Sequence, residues 1–267
     1  MFARVSGINQ MPNLRFQSGG FLAGADYAWS ENFTTGLYGG YQGTNADYGN
    51  SGDARINTTS FGGYATYTSG GFYADAVIGG GYSNYKVRRS IEFSTIDRTA
   101  ASQQNGGQFT GGLNFGYDWK AAGFTFGPVF GAQYTLASIS PFTETGAGAL
   151  NLRVAQQNAN SLRTTLGGRI AYTWNATDKI TLIPEVRMFW QHEFLENPRV
   201  IGAALDSGNG AGFNYVTAAP DRDAIFAAAG VTAQFGETWN ASLYYNSSFA
   251  NETTLIHTIS ASLGLKF

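Results

Sequence analysis

Apolar and polar residues alternate along almost the whole chain. In its last segment Leu255, Ile259, Ala261, Leu263, Leu265 and Phe267 share one parity, and Thr258, Ser260, Ser262, Gly264 and Lys266 share the other. Near the start, Phe21, Ala23, Ala25, Tyr27 and Trp29 oppose Gly24 and Asp26. Phe109, Leu113, Phe115, Tyr117 and Trp119 oppose Thr110, Asn114 and Asp118, and Ile180, Leu182, Val186, Met188 and Trp190 oppose Thr181, Glu185, Arg187 and Glu193. Successive side chains of a strand point to opposite faces, so each segment has an apolar and a polar side. No long stretch repeats at the helical period. The pattern predicts an all-β chain of twelve strands: 2–8, 15–29, 33–48, 57–69, 71–88, 105–119, 123–139, 161–175, 179–196, 222–236, 238–249 and 254–267.

The links between these segments are sorted by length. Those after the even-numbered strands are very short: Ser30–Asn32, Ser69–Gly70, Lys120–Ala122, Ala176–Asp178 and Glu237. Those after the third, fifth, seventh and ninth strands are long and polar, at 49–56, 89–104, 140–160 and 197–221. A soluble sandwich has no reason to alternate its links in this way. A membrane barrel does, with tight turns on the periplasmic side and long loops outside.

Alternation alone does not say which side meets lipid, because a soluble sandwich also alternates. Three features decide it. The polar face carries Gly, Thr, Ser and Asn rather than Lys and Glu. The segments are mostly of twelve or more residues, beyond the usual five or six of globular sheets. Aromatic rings recur at the short turns: Trp29 and Phe33, Tyr67 and Phe72, Trp119 and Phe124, Trp174, then Phe235 and Trp239. Amphipathic rings favour the membrane–water boundary, so Trp29, Trp119, Trp174 and Trp239 are expected to form one girdle. The single expected domain, 1–267, is thus a 12-stranded antiparallel transmembrane β-barrel of a bacterial outer membrane, with outer-membrane lipid around it.

Composition agrees. Charged residues are 13% of the chain, about half the roughly 25% of a soluble domain, and aromatics are 15%. A net charge of −2 makes no electrostatic case for nucleic acid. The absence of cysteine excludes disulfides, thiolate metal sites and cysteine catalysis. No apolar run approaches the roughly 20 residues of a membrane helix. Met1-Phe2-Ala3-Arg4 is not a secretory signal, so the sequence reads as an excised piece of an exported protein with an added Met. Pro128 and Pro184 fall inside expected strands of a closed barrel, where a missing N–H calls for a bulge or local irregularity.

The candidate chemistry is sparse. Arg163 and Arg169 share the polar face of the eighth strand, and Glu185, Arg187 and Glu193 share that of the ninth, so pairing brings them into one lumenal cluster. Asp26, Asp75 and Asp118 fall on the same face of other strands. Two readings stand for this cluster: a pore lining that holds a segment or filters ions, and a structural ion-pair network, since buried charge is costly unless paired. The two histidines, His192 and His257, carry the lipid-facing parity near the outer ends of their strands. Ser247, Ser248 and Asp223 are the conceivable partners, but no spacing links them, and no catalytic residue is expected. Gly208–Gly212 opens no helix, so it makes no phosphate loop. No cluster has metal-ligand spacing, and no cofactor is expected.

The chain also resembles the autotransporter β-domain, the C-terminal translocator barrel of type V secretion. The resemblance rests on Gly19–Tyr27, Gly39-Gly40-Tyr41, Gly62–Tyr67, Phe72–Asp75, Ser161–Arg169, Pro184–Arg187, Trp190–Phe194 and the closing Leu263–Phe267, which run in order over essentially the whole chain. It implies a non-enzymatic role, export of an N-terminal passenger to the cell surface, with a linker helix threading the pore. Passenger and helix are both expected to lie outside the sequence. It also implies that Ile259, Ala261, Leu263, Leu265 and Phe267 form the signal read by the outer-membrane barrel assembly machinery. A small porin-like channel and an adhesin acting through its long loops are the alternatives.

Overall fold

The structure is a computed structural model, which describes residues 1–5, 14–195, 198–207, 212–217, 219, 221–249 and 254–266. In chain order the strands are β1 (Phe2–Val5), β2 (Leu14–Ala28), β3 (Phe33–Asp47), β4 (Gly52–Ser69), β5 (Phe72–Phe93), β6 (Ile96–Tyr117), β7 (Trp119–Ala121), β8 (Phe124–Ile139) and β9 (Phe142–Thr143). They continue as β10 (Leu152–Val154), β11 (Gln157–Tyr172), β12 (Trp174–Thr177), β13 (Ile180–Glu193), β14 (Val200–Leu205), β15 (Phe213–Val216), β16 (Asp223–Phe235), β17 (Trp239–Phe249) and β18 (Thr254–Leu265). Two single 3₁₀ turns lie at Gly49–Ser51 and Gly148–Leu150.

Each long strand pairs antiparallel with the next, and the circuit closes where β1 lies between β18 and β2. Because β7 continues β6 and β12 continues β11 in the same wall positions, the barrel has twelve wall strands. Closure removes the sheet edge that a bilayer would not tolerate. β1 contributes only four residues, whose partners on either side are Leu14–Gln17 and Thr254–His257.

The register fixes the faces. Row by row, Phe21 lies opposite Tyr41, Leu37 opposite Ala25 and Gly63, and Met188 opposite Gly168 and Ala227. These apolar side chains are among the most exposed of the molecule, with Leu37 and Leu263 above 70%. Exposed apolar side chains on one face of every strand are what a lipid-facing wall requires. The intervening residues therefore line the interior.

The two in-strand prolines interrupt the ladder without shifting it. The β6–β8 pairing ends at Gly116–Val129, and β7–β8 resumes in the same register at Trp119–Phe126, so the gap faces Pro128. Likewise the β11–β13 pairing ends at Ala171–Glu185, and β12 resumes at Trp174–Leu182, so that gap faces Pro184. On their other sides the same strands keep their ladders: Asp118 N–H donates to Gly71 O and Thr173 N–H to Gly123 O, at 2.7 and 2.8 Å. A register shift between Asn175 and Thr177 lies beside the turn, beyond the gap that faces Pro184.

The loop end departs most from the sequence reading. The expected loop 89–104 is strand, since β5 and β6 pair without a break up to Phe93 and Ile96 and leave a two-residue turn. Its polar sequence reflects a hairpin that rises beyond the membrane and needs no apolar face. The expected loops 140–160 and 197–221 contain β9, β10, β14 and β15, which form a four-stranded sheet in the order β15-β14-β10-β9. That order repeats β16-β13-β11-β8, so this sheet prolongs one side of the barrel wall outward. It is anchored by Arg89, whose Nε and Nη2 donate to Glu144 at 2.9 and 2.6 Å, beside a small core of Ile91, Ala100 and Ala147. At the β3–β4 link, burial pushes the Tyr48 phenol above its ordinary value, and the charge of Asp53 adds to this. Of the Gly208–Gly212 stretch, only Gly212 is among the described residues.

Candidate functional site

The inner wall carries the charged residues at two levels. Near the periplasmic turns, Glu185 of β13 takes two hydrogen bonds from Arg187, Nε to Oε1 at 2.6 Å and Nη2 to Oε2 at 2.8 Å. The Tyr244 hydroxyl on β17 donates to the same carboxylate at 2.9 Å. Arg169 of β11 lies 3.6 Å from it and binds Asp118 with two donors, the Nε bond measuring 3.1 Å. Arg169 stands over the Tyr73 ring at 5.1 Å, and Arg187 over the Tyr244 ring at 5.2 Å. The network thus runs from β5 to β17 across the concave side of the wall. Paired charge is the form in which such groups tolerate burial, and Glu185 is only 5% exposed.

Glycine makes room for these long side chains. A Cβ on Gly230 would stand 2.3 Å from the Tyr244 ring, and one on Gly116 would stand 2.5 Å from the Tyr73 hydroxyl. Each tyrosine lies flat over a neighbouring strand because that strand has no side chain there.

Six residues further along β11, Arg163 pairs with Glu193, Nε to Oε2 at 2.9 Å. Glu193 also accepts from the Ser161 hydroxyl and from the backbone N–H groups of Leu162 and Leu195. The expected single cluster is therefore two, about 20 Å apart along the strand. Asp26 accepts from the Tyr64 hydroxyl at 2.6 Å, and Asp75 sits on the inner face opposite Asn114. Toward the loop end, the inner-face residues Ala46, Ala54 and Ser248 are almost wholly buried, so the inner wall is covered there.

The aromatic set lies where the short turns are. Trp29, Trp119, Trp174 and Trp239 are each about half exposed or more on the outward face. Tyr27 meets Trp29 edge-on at 4.9 Å, and Trp119 lies between Tyr117 and Phe126. On the same outward face Ile259, Ala261, Leu263 and Leu265 follow one another along β18, while Phe267 falls outside the described residues.

A contact that spacing did not reveal is His257 Nδ1 with the Tyr245 hydroxyl at 2.7 Å and the Ser247 hydroxyl at 3.2 Å. Register creates it, because Ser247 and His257 are direct cross-strand partners. The acid is elsewhere: Asp223 holds His192 Nδ1 and Trp190 Nε1, both at 2.9 Å, on the β13–β16 pair. Serine, histidine and carboxylate are thus divided between two sites. Among the described residues no group of three or more metal-ligating side chains comes together.

A polar lumen with a paired charge network inside an apolar wall is the geometry of a membrane-spanning barrel. The profile of the autotransporter beta-domain family matches residues 1–246. The chain belongs to the autotransporter β-domain family. Its function is accordingly that of an outer-membrane barrel that exports a passenger, a non-enzymatic role. Among solved structures, the translocator domain of autotransporter NalP from Neisseria meningitidis is similar with a TM-score of 0.76 and 17% identity, over 100% of this chain and 85% of that one. The β-domain of the Bordetella autotransporter BrkA gives 0.72 and 19%, over 100% and 96%. The transport unit of AIDA-I from Escherichia coli gives 0.58 and 16%, over 100% and 88%. At these identities the likeness is one of fold. No curated protein sequence matches the chain.

Proposed function

We propose that residues 1–267 act as one translocator unit, and that the segment joining passenger to barrel runs through the lumen against the wall that bears Asp118, Arg169, Glu185 and Arg187. The observation that carries this reading is the division of faces. Every strand turns its apolar side outward, so a polar chain crossing the membrane finds hydrogen-bonding partners only inside. A helix in the lumen satisfies its own backbone and presents polar side chains to Asp26, Asp75 and the half-exposed Arg163. The barrel assembly machinery is the second proposed partner, reading Ile259, Ala261, Leu263, Leu265 and Phe267 as the barrel folds. The strong exposure of Ile259 and Leu263 supports it, since alternate side chains of this strand stand free for recognition.

The chain has no cysteine, so introduced thiols report cleanly. A reporter is fused ahead of Met1 through a linker carrying one cysteine, and cross-linking is induced in intact cells. Thr165→Cys and Ser242→Cys, on the inner face, should trap the linker, and Leu243→Cys, on the outer face, should not. Equal trapping at Leu243→Cys, or none at either inner position, refutes the lumenal route.

A further inference from the structure

The outward face changes character above the apolar band. Going up from the row that contains Phe21, Tyr41 and Tyr82, the next outward row is Gly19, Gly43, Asn57, Asn84 and Asn105. The row above it contains Gln17, Asn45, Arg55, Lys86 and Gln103, and the next Arg4, Arg15, Asp47, Asp53 and Arg88. These two rows stand roughly 13 and 20 Å along the strands beyond the tyrosines, or about 10 and 15 Å in height for strands tilted near 40°. The two rows thus stand beyond the apolar rows of the outward face, on the loop side.

A cavity of about 1200 Å³ opens there. It lies on the outward face, because Leu255 and His257 line it without Ile256 between them, and Thr143 and Thr145 without Glu144. Ala3, Phe16, Ala46, Ala54, Val87 and Ser102, of the opposite parity, reach it from behind, all of them buried or half-buried. Five cations line it, Arg4, Arg15, Arg55, Lys86 and Arg88, against two carboxylates, Asp47 and Asp53.

The pairing within this set is incomplete in a telling way. Arg4 is directly opposite Arg15, and Arg55 directly opposite Lys86. Like charges so placed destabilise a sheet unless an anion lies between them. Arg88 is held by Asp53 at 2.8 Å, and Asp47 accepts from the Gly49 N–H at 2.8 Å. Among the described residues Arg4, Arg15 and Lys86 have no ion-pair partner, and all three are exposed. In the lower row Phe2, opposite Gln17, offers apolar surface, and Leu255 does so in the upper row, opposite Arg4.

We infer that this cavity is a binding site for the phosphorylated head group of an outer-leaflet glycolipid. Two phosphates, one between Arg4 and Arg15 and one between Arg55 and Lys86, neutralise the two like-charge pairs by charge-assisted hydrogen bonds. Phe2, in the lower row, meets the start of the acyl chains. The site is separate from the lumen, since it lies on the opposite face of the same strands.

The test uses the whole barrel folded in neutral detergent, with a diphosphorylated lipid A as probe and retained lipid counted by native mass spectrometry. The intact protein should retain the lipid, less so as salt is raised. The double variant Arg15→Gln/Lys86→Gln should retain it at least about tenfold more weakly. Lys120→Gln/Lys179→Gln, at the periplasmic turns, should bind as the intact protein does. Heat-modifiable gel mobility confirms that each variant is folded. Undiminished binding by Arg15→Gln/Lys86→Gln overturns the proposal. So does equal retention of the same lipid stripped of its phosphates, or displacement of the lipid by inorganic phosphate at matched phosphate concentration.

Discussion

At the scale of single residues the informative one is Glu185. Its carboxylate gathers Arg187, Arg169 and Tyr244 while being almost wholly buried. Removing one member of a buried ion pair leaves the others unpaired, which costs more than the pair itself contributes. In a lumen reached by water the cost is smaller than in a dry core. Glu185→Gln is expected to lower the unfolding free energy of the refolded barrel by about 1–3 kcal/mol. Tyr244→Phe, which removes one donor and keeps the ring under Arg187, should cost about 1 kcal/mol. Urea titration in detergent micelles measures both, and a larger loss for Tyr244→Phe than for Glu185→Gln would show that the carboxylate is not the hub. The parity of these residues could be read from alternation in the sequence, because the side-chain period of a strand is fixed. Their partners could not. Arg169 bonds to Asp118 with β8 between their strands, a contact that depends on Gly127 in the intervening position. The Ser247–His257 contact likewise came from register, which no local pattern states.

At the scale of elements the long strands and the short turns were legible, because two-residue periodicity and turn residues are local signals. The polar hairpin above the membrane was not. A strand solvated on its outer face beyond the bilayer has no apolar stripe, so 89–104 has a loop's composition while pairing residue by residue. The prolines show how an element absorbs a missing donor. Pro128 faces a gap across which the register is unchanged, and the strand opposite keeps its ladder on the other side through Asp118 N–H to Gly71 O, so Pro128→Ala should change stability by less than about 1 kcal/mol. Its neighbour Gly127 behaves differently. A Cβ there would fall 1.7 Å from Tyr117 O and 2.8 Å from Tyr117 C, both backbone atoms that cannot swing aside. Gly127→Ala is therefore expected to cost more than about 2 kcal/mol, through displacement of the β6–β7 junction and of Asp118 with it. The same urea titrations decide this, and comparable values for the two substitutions would mean that the junction yields freely.

At the scale of the whole molecule, one strand has two tasks that different measurements separate. As wall, β18 presents Ile259, Leu263 and Leu265 to lipid and pairs with β17 from Trp239 to Ser248. As proposed signal, the same alternation runs on to Phe267 and is read during assembly. The wall's stability rests on ten cross-strand partners along β17 and on the outward apolar rows, and loss of Phe267 removes none of those ten. Recognition by strand addition has no such redundancy, since one anchoring side chain fills one pocket and alternate side chains set the register. Deletion of Phe267 should therefore leave refolding into detergent micelles largely intact, while the amount of heat-modifiable barrel recovered from the outer membrane of cells falls several-fold. Replacement of Phe267 by Tyr or Trp should restore most of it, and replacement by Ala should not. Unchanged assembly in cells after the deletion would remove the signal and leave the strand as wall alone. Loss of both cellular assembly and refolding would assign Phe267 to the stability of the barrel.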